Sequence, residues 1–207
     1  MYLPFDSSFE KNLLAKGLVD IQKLDSTIKV ELKYATSNNF IKENVYGVLN
    51  RCFLQKNAAK KLIKANRILK ESYPGLSLLI VDGTRPRHVQ KKMWEVVKGT
   101  PMQRYVANPR FGSNHNYGCA VDITLINDST GNRLDMGSAM DHFGELSQPR
   151  LENEFLRQGK LTKQAVKNRK ILRDVMIAAG FNYLPIEWWH YDAFKTKEVR
   201  ARYSIVE

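Results

Sequence analysis

Between residues 57 and 83 the sequence writes a helix, a stop and a buried strand in immediate succession, which limits the chain to folds that stack helices on a sheet. Asn57 can cap the helix, and Ala58, Leu62, Ala65 and Leu69 recur at three- to four-residue spacing while lysines fill the opposite face. Tyr73-Pro74-Gly75 stops it. Leu76–Val81 follows as an apolar run of strand length, ended by Asp82-Gly83. Residues 87–98 read as a second helix with Val89, Met93 and Val96/Val97 on one side. Residues 99–118 carry Gly99, Pro101, Pro109, Gly112 and Gly118 among polar neighbours, a long loop of the kind that is usually functional or disordered. Cys119–Ile126 resumes a strand pattern, and Thr162 caps a third helix with Ala165, Leu172, Met176 and Ala179 inward and Gly180 as its stop. Glu187–Ala193 is aromatic-rich and strand-like. Strands and helices alternate too irregularly for a doubly wound parallel sheet, so the expected class is α+β. No repeat, low-complexity tract or linker divides residues 1–207, which read as one domain.

At 207 residues, with 43% hydrophobic and 26% charged, the chain can bury a full core, so neither a metal nor a disulfide is needed merely to fold it. A metal found here is therefore expected to be functional. The two cysteines, Cys52 and Cys119, lack the paired spacing of a structural zinc site and leave open both their pairing and the redox compartment. The longest apolar stretches, such as Leu78-Leu79-Ile80-Val81, fall far short of the ~20 residues of a membrane helix. No basic segment followed by an apolar one marks the N-terminus as a signal peptide, and both a cytoplasmic and an exported location stay open. The net charge of +12 favours polyanions in general. The basic residues are spread along the chain, with no zinc-finger spacing and no aromatic RNA-binding motif, so no nucleic-acid partner is expected and a solvated lysine-rich surface is the better reading.

Two of the four histidines stand in segments that look built around them. In Ser113-Asn114-His115-Asn116-Tyr117-Gly118-Cys119-Ala120-Val121-Asp122, His115 ends the long loop and Asp122 lies within the next strand, facing away from Val121 and Ile123. A carboxylate at an inward strand position is costly unless it is paired or binds a cation. In Glu187-Trp188-Trp189-His190 a second carboxylate precedes an imidazole by three residues among bulky rings. Two imidazoles and one carboxylate, with Glu187 left over as a base, suit a catalytic zinc site: three protein ligands and an open position for water. Plainer readings exist for each: a loop histidine that is only hydrogen-bonded, an Asp122 that caps or pairs.

The pattern Ser113-x-His115-x-x-Gly118-x-Ala120-x-Asp122, with Glu187-x-Trp189-His190, resembles the D-alanyl-D-alanine dipeptidases of the VanX type, zinc DD-peptidases that share a fold with the Hedgehog signalling domain. Further stretches agree in order: Val19-Asp20-Ile21, Lys33-Tyr34-Ala35-Thr36 with Asn39-Phe40, Asp82-Gly83-Thr84-Arg85-Pro86, and Met136-Gly137-Ser138 followed by Asp141. Together they span about residues 19–193. The resemblance implies a small antiparallel sheet flanked by helices, and one zinc per chain on His115, Asp122 and His190. It also implies Glu187 as catalytic base and Arg85 as the guanidinium that stabilises the transition state. Tyr34, Ser113 and Asp141 match positions lining a small dipeptide pocket, with Asp141 pairing the substrate ammonium, and Asp82 either orients Arg85 or packs in the turn. Tyr34 also reads as core, Ser113 as a turn residue and Asp141 as a cap. The chain departs from the pattern at Thr84 and Met140, where aromatics are usual, and both changes are expected to reshape the pocket. Trp188-Trp189 reads as wall and core.

The implied reaction is zinc-dependent hydrolysis of the D-Ala-D-Ala peptide bond, with a small D,D-dipeptide as substrate. Two alternatives remain: a murein D,D- or L,D-carboxypeptidase or endopeptidase of the same fold, and a non-catalytic zinc-containing binding module. Oligomeric state is not legible.

Overall fold

The computed structural model describes residues 7–207; the first six residues, part of the N-terminal stretch inspected for a signal pattern, lie outside the described residues. Helix α1 (Ser7–Ala15) leads into strand β1 (Leu18–Asp20) and the single turn α2 (Ile21–Leu24), capped by Asp20, whose Oδ1 accepts the Gln22 N–H at 3.0 Å. Then come β2 (Lys29–Val30), β3 (Phe53–Gln55), α3 (Lys56–Ser72), β4 (Leu76–Asp82) and α4 (Arg87–Val97). The second half holds β5 (Ala120–Asn127), α5 (Glu152–Arg157), α6 (Lys163–Ala178), β6 (Asn182–Leu184), β7 (Glu187–Asp192) and α7 (Thr196–Arg202).

Five strands form the main sheet in the order β2-β4-β5-β7-β6, antiparallel throughout except for the parallel edge pair β2-β4. A separate antiparallel pair, β1-β3, lies beside it. The α+β class and the helix-flanked sheet are as the sequence predicts, with the parallel edge strand as an addition. Helices α3 and α6 bury the predicted stripes, Ala58, Leu62, Ala65 and Leu69 on one and Ala165, Leu172, Met176 and Ala179 on the other. Most of these residues join Leu78, Ile80, Val121, Ile123 and Leu125 of the central strands in one core. Each fully buried Leu or Ile there contributes roughly 1.5–3 kcal/mol of transfer free energy. A second cluster, including Leu13, Leu18, Tyr34, Tyr46, Phe53, Val89, Met93 and Val97, packs α1, α4 and the segment of residues 32–49. On α4 it is Val97 that turns inward, while Val96 is exposed.

Thr162 caps α6 as expected, its Oγ1 accepting the Ala165 N–H at 2.9 Å. Asn57 does not cap α3. The helix starts at Lys56 directly off β3, and its cap position is Gln55, whose backbone and side chain are already committed to the Gly118 and Tyr117 carbonyls at 2.8 and 3.1 Å. The strand therefore runs into the helix without the intervening residue that an Asn57 cap requires.

The loop of residues 99–118 is ordered by two short 3-10 turns, Pro101–Tyr105 and Asn114–Tyr117. The second begins with Asn116 Oδ1 accepting the Ser113 N–H at 2.8 Å and ends at Gly118, where φ is +69°. A Cβ at Gly118 would lie 2.9 Å from both Leu18 Cδ2 and Thr84 Oγ1, so the turn carrying His115 packs this closely only with glycine there.

Candidate metal centre and active site

Neighbouring strands bring the key side chains together. In the β5-β7 ladder Asp122 stands directly opposite His190, and across β4-β5 it stands opposite Asp82. The second pairing requires a β-bulge: the register shifts between Ile80 and Asp82, leaving Val81 as the extra residue and turning Asp82 toward Asp122. His115 arrives from the 3-10 turn before β5.

The three donors converge tightly. His115 Nε2 lies 3.2 Å from Asp122 Oδ1 and 3.1 Å from His190 Nδ1, and the last two atoms are 3.1 Å apart. The opposite nitrogen of each imidazole decides its tautomer. His115 Nδ1 is 2.7 Å from the Gly83 carbonyl, which can only accept, so Nδ1 carries the proton and Nε2 is a bare lone pair. His190 Nε2 is 3.0 Å from Asp192 Oδ1, so in the neutral ring, the form that binds a metal, Nδ1 is the lone pair. Two nitrogen lone pairs and a carboxylate oxygen thus face one another in a buried spot, an arrangement that a cation stabilises and neutral packing does not. Four-coordinate zinc, with N and O ligands about 2.0–2.1 Å away, places ligands about 3.3 Å from each other, close to the observed triangle. Among the described residues this trio is the cluster of three metal-ligating side chains.

Electrostatics point the same way. Burial opposes ionisation of Asp122, but His115 and His190 outweigh it and hold the carboxyl below the usual carboxylate range. Burial likewise disfavours a charged His190, yet the Asp192 carboxylate and the hydrogen bonds to Asp122 and Asp192 outweigh it and raise the imidazole well above its ordinary value. The cluster thus attracts positive charge.

The trio opens on a cavity of ≈ 360 Å³, near the small end of the roughly 300–1,000 Å³ of ligand pockets. Tyr34, Arg85, Ser113, Asp141 and Glu187 line it together with His115, Asp122 and His190. Glu187 lies at the start of β7, where its backbone pairs with Leu184, and its carboxylate takes no hydrogen bond from a described residue. Burial above all, aided by Asp122 and Asp141 against His190 and Arg85, pushes its carboxyl up to about 8.

Arg85 is buried and held from three sides. Its Nε and Nη2 donate to Asp82 Oδ2 at 2.9 and 2.5 Å, its Nη1 donates to Gln90 Oε1 at 3.0 Å, and its guanidinium stands 5.4 Å from the Tyr34 ring centre. Nη2 also lies 3.6 Å from Asp122 Oδ2. Asp82 in turn accepts from the Tyr46 hydroxyl at 2.6 Å and from the Gly83 N–H at 2.9 Å. Asp82 itself does not line the cavity; it stands behind Arg85. Tyr34 donates its hydroxyl to Asp141 Oδ2 at 2.9 Å. Asp141 adopts φ +59°, rare for a residue with a side chain, on a strap tied to α6. The ties are Arg169, which donates to the Met136 and Leu146 carbonyls at 2.6 and 2.8 Å, and Asn168, which donates to the Asp135 carbonyl at 2.7 Å.

Thr84 and Met140, expected to reshape the pocket, do not line it. The Thr84 hydroxyl turns to the Phe53 carbonyl at 2.5 Å, and Met140 borders a separate groove beside Lys33 and Trp188. Trp189 walls the cavity, while Trp188 is buried and donates to Ser138 Oγ at 3.0 Å. Both cysteines are buried and free. The sequence reading missed Asp192, Gln90 and Tyr46, and although it named Phe40 it did not join that ring to Tyr105 and Phe143. Asp192 alone left a local trace, two residues beyond His190 on the same face of a strand.

The family model described as D-ala-D-ala dipeptidase, peptidase M15, matches residues 14–206. The chain belongs to this family. It is 35% identical over 175 residues to a D-alanyl-D-alanine dipeptidase of Escherichia coli K12, covering 84% of this chain and 83% of that one. It is 28% identical over 194 residues to a dipeptidase of the same name from Enterococcus faecium, covering 84% and 90%. An Enterococcus faecalis counterpart is 26% identical over 197 residues. The M15 family is metal-dependent, in keeping with the buried His-Asp-His trio.

Proposed function

We propose that this chain is one catalytic unit over residues 1–207 that hydrolyses D-Ala-D-Ala with a single zinc ion on His115, Asp122 and His190. The observation that carries the reading is the convergence of two imidazole nitrogens and a carboxylate oxygen beside a cavity that Glu187 and Arg85 also line. Bound there, zinc would act as a Lewis acid, acidifying water and polarising the scissile carbonyl.

The chain's own groups do the rest. Glu187 takes the proton of the attacking water and delivers it to the departing amine, so its carboxylate returns to its starting state. Arg85, fixed by Asp82 and Gln90, meets the negative charge that grows on the carbonyl oxygen. Asp141, aligned by Tyr34, pairs with the substrate ammonium. Ser113 supplies a hydroxyl at the cavity wall near His115. The deciding assay is release of D-Ala from D-Ala-D-Ala by the zinc-loaded protein, run beside a muropeptide with the same ending. Release from the free dipeptide supports the reading; release from the muropeptide alone makes the protein a murein carboxypeptidase, and silence on both with zinc bound makes it a binding module.

Two further outcomes are expected. Asp192→Ala removes the acceptor that holds His190 in its Nδ1-bare tautomer, so zinc affinity measured by chelator competition drops about 10–100-fold. Burial first, then Asp122, raises the Asp141 carboxyl to about 6 against Lys33, Tyr34 and Arg85. The pairing carboxylate is therefore lost as pH falls through about 6. Calorimetric binding of D-Ala-D-Ala to a Glu187→Ala variant weakens below that pH by about tenfold per unit. Adding Asp141→Asn weakens binding and flattens this dependence; a dependence that persists assigns it to another group.

A further inference from the structure

We propose that the rings of Phe40, Phe143 and Tyr105 form a wall that sets substrate length, admitting a free dipeptide and turning away the same dipeptide when a chain continues from its amino end. The inference rests on the dipeptidase reading above and deepens it.

Three chain segments that are far apart in sequence each send one ring to the cavity lining, where the three rings touch in a row. Phe40 and Phe143 meet edge to face with centroids 4.9 Å apart, and Phe143 stacks on Tyr105 at 5.4 Å and 18°. Such ring contacts add to simple burial and hold the rings in register. The row is anchored at both ends. Phe40 leans edge-on against Tyr34 at 6.1 Å, and the Tyr34 hydroxyl is the one bound to Asp141. At the far end the Tyr105 hydroxyl accepts a hydrogen bond from buried Gln148 at 3.1 Å. Phe143 lies two residues after Asp141 on the strap that Arg169 ties to α6, so the wall and the ammonium-pairing carboxylate are positioned by one segment.

This placement gives the wall its consequence. With its ammonium at Asp141, a free dipeptide ends where the aromatic row begins. An acyl group on that nitrogen acts twice: it removes the positive charge that Asp141 would pair with, leaving the carboxylate only Lys33 Nζ at 3.9 Å, and it adds atoms that must leave past Tyr34, Phe40 and Phe143. The charge penalty applies equally to every blocked amine. The wall penalises bulk, so only the wall makes exclusion grow with the size of the extension and yield when rings are removed.

The test compares kcat/KM for D-Ala-D-Ala, N-acetyl-D-Ala-D-Ala and a cell-wall pentapeptide ending in D-Ala-D-Ala. It uses the zinc-loaded wild type, Tyr105→Ala, Phe143→Leu and Tyr105→Ala/Phe143→Ala. In the double variant the ratio of pentapeptide to free dipeptide rises by about tenfold or more, and by more than the ratio for the acetylated dipeptide. Tyr105→Ala, which removes the half-exposed end of the row, moves the ratio the same way should the double variant not fold, and Phe143→Leu, which keeps bulk, leaves it near wild type. A folded variant that cleaves D-Ala-D-Ala with an unchanged ratio overturns the wall and spares the dipeptidase reading. A wild type that does not cleave D-Ala-D-Ala overturns both.

Discussion

Replacing Glu187 by Ala leaves zinc bound and lowers D-Ala-D-Ala turnover by about 10²–10⁴-fold, the usual worth of a positioned acid–base group. The cation stays because Glu187 is outside the triangle of His115 Nε2, Asp122 Oδ1 and His190 Nδ1, none of which it holds in place by a hydrogen bond. Turnover falls because the substitution removes the group at this place in the cavity wall whose proton affinity burial has raised, the property a base needs to take a proton from water. Glu187→Gln preserves shape and loses the same activity. Zinc content by atomic absorption, read beside initial rates, checks the outcome. Full activity in either variant removes Glu187 as the base, and loss of zinc along with activity would recast it as part of the metal site.

Arg85→Ala lowers kcat about 10²–10³-fold with a smaller change in KM, as expected for a donor whose interaction strengthens when charge develops. The guanidinium is already immobilised before substrate arrives: Asp82 takes two of its N–H groups and Gln90 a third, while Gln90 is itself pinned through its amide to the Ala107 carbonyl at 2.8 Å. Burial disfavours the charge, yet Asp82 outweighs it and keeps the group protonated at every working pH. Arg85→Lys recovers little, since an ammonium cannot make the forked contact to Asp82 and still reach Gln90. Steady-state kinetics separate the cases. A raised KM with kcat intact assigns Arg85 to ground-state binding, and a loss of zinc would trace the effect to its 3.6 Å neighbour Asp122 instead.

The legibility of this protein divides by the range of the interaction. Stripes such as Leu62-Ala65-Leu69 and Leu172-Met176 depend on a helix's own period, so the buried faces of α3 and α6 could be read directly. The Thr162 cap is equally local, whereas the expected Asn57 cap failed because Gln55 is held by the Tyr117 and Gly118 carbonyls more than sixty residues away. The candidate ligands were legible because three-residue and seven-residue spacings placed chemically unusual side chains in strand-like surroundings. The family resemblance then singled out Arg85, Tyr34, Ser113 and Asp141. The sequence leaves Asp82 between two roles, which only its position behind Arg85 distinguishes.

By itself the sequence determined the three long helices α3, α4 and α6, the central strands β4, β5 and β7, and the inventory of imidazoles and carboxylates, because periodicity and residue chemistry act over a few neighbours. The tertiary structure alone decided how that inventory becomes a site. The bulge at Val81 turns Asp82 toward Asp122, the Gly83 carbonyl and Asp192 choose which nitrogen of each imidazole is bare, and Tyr34 reaches Asp141 across 107 residues. These outcomes depend on strand register and on hydrogen bonds between distant segments, whose energies exist only once the sheet has paired and no local pattern encodes them.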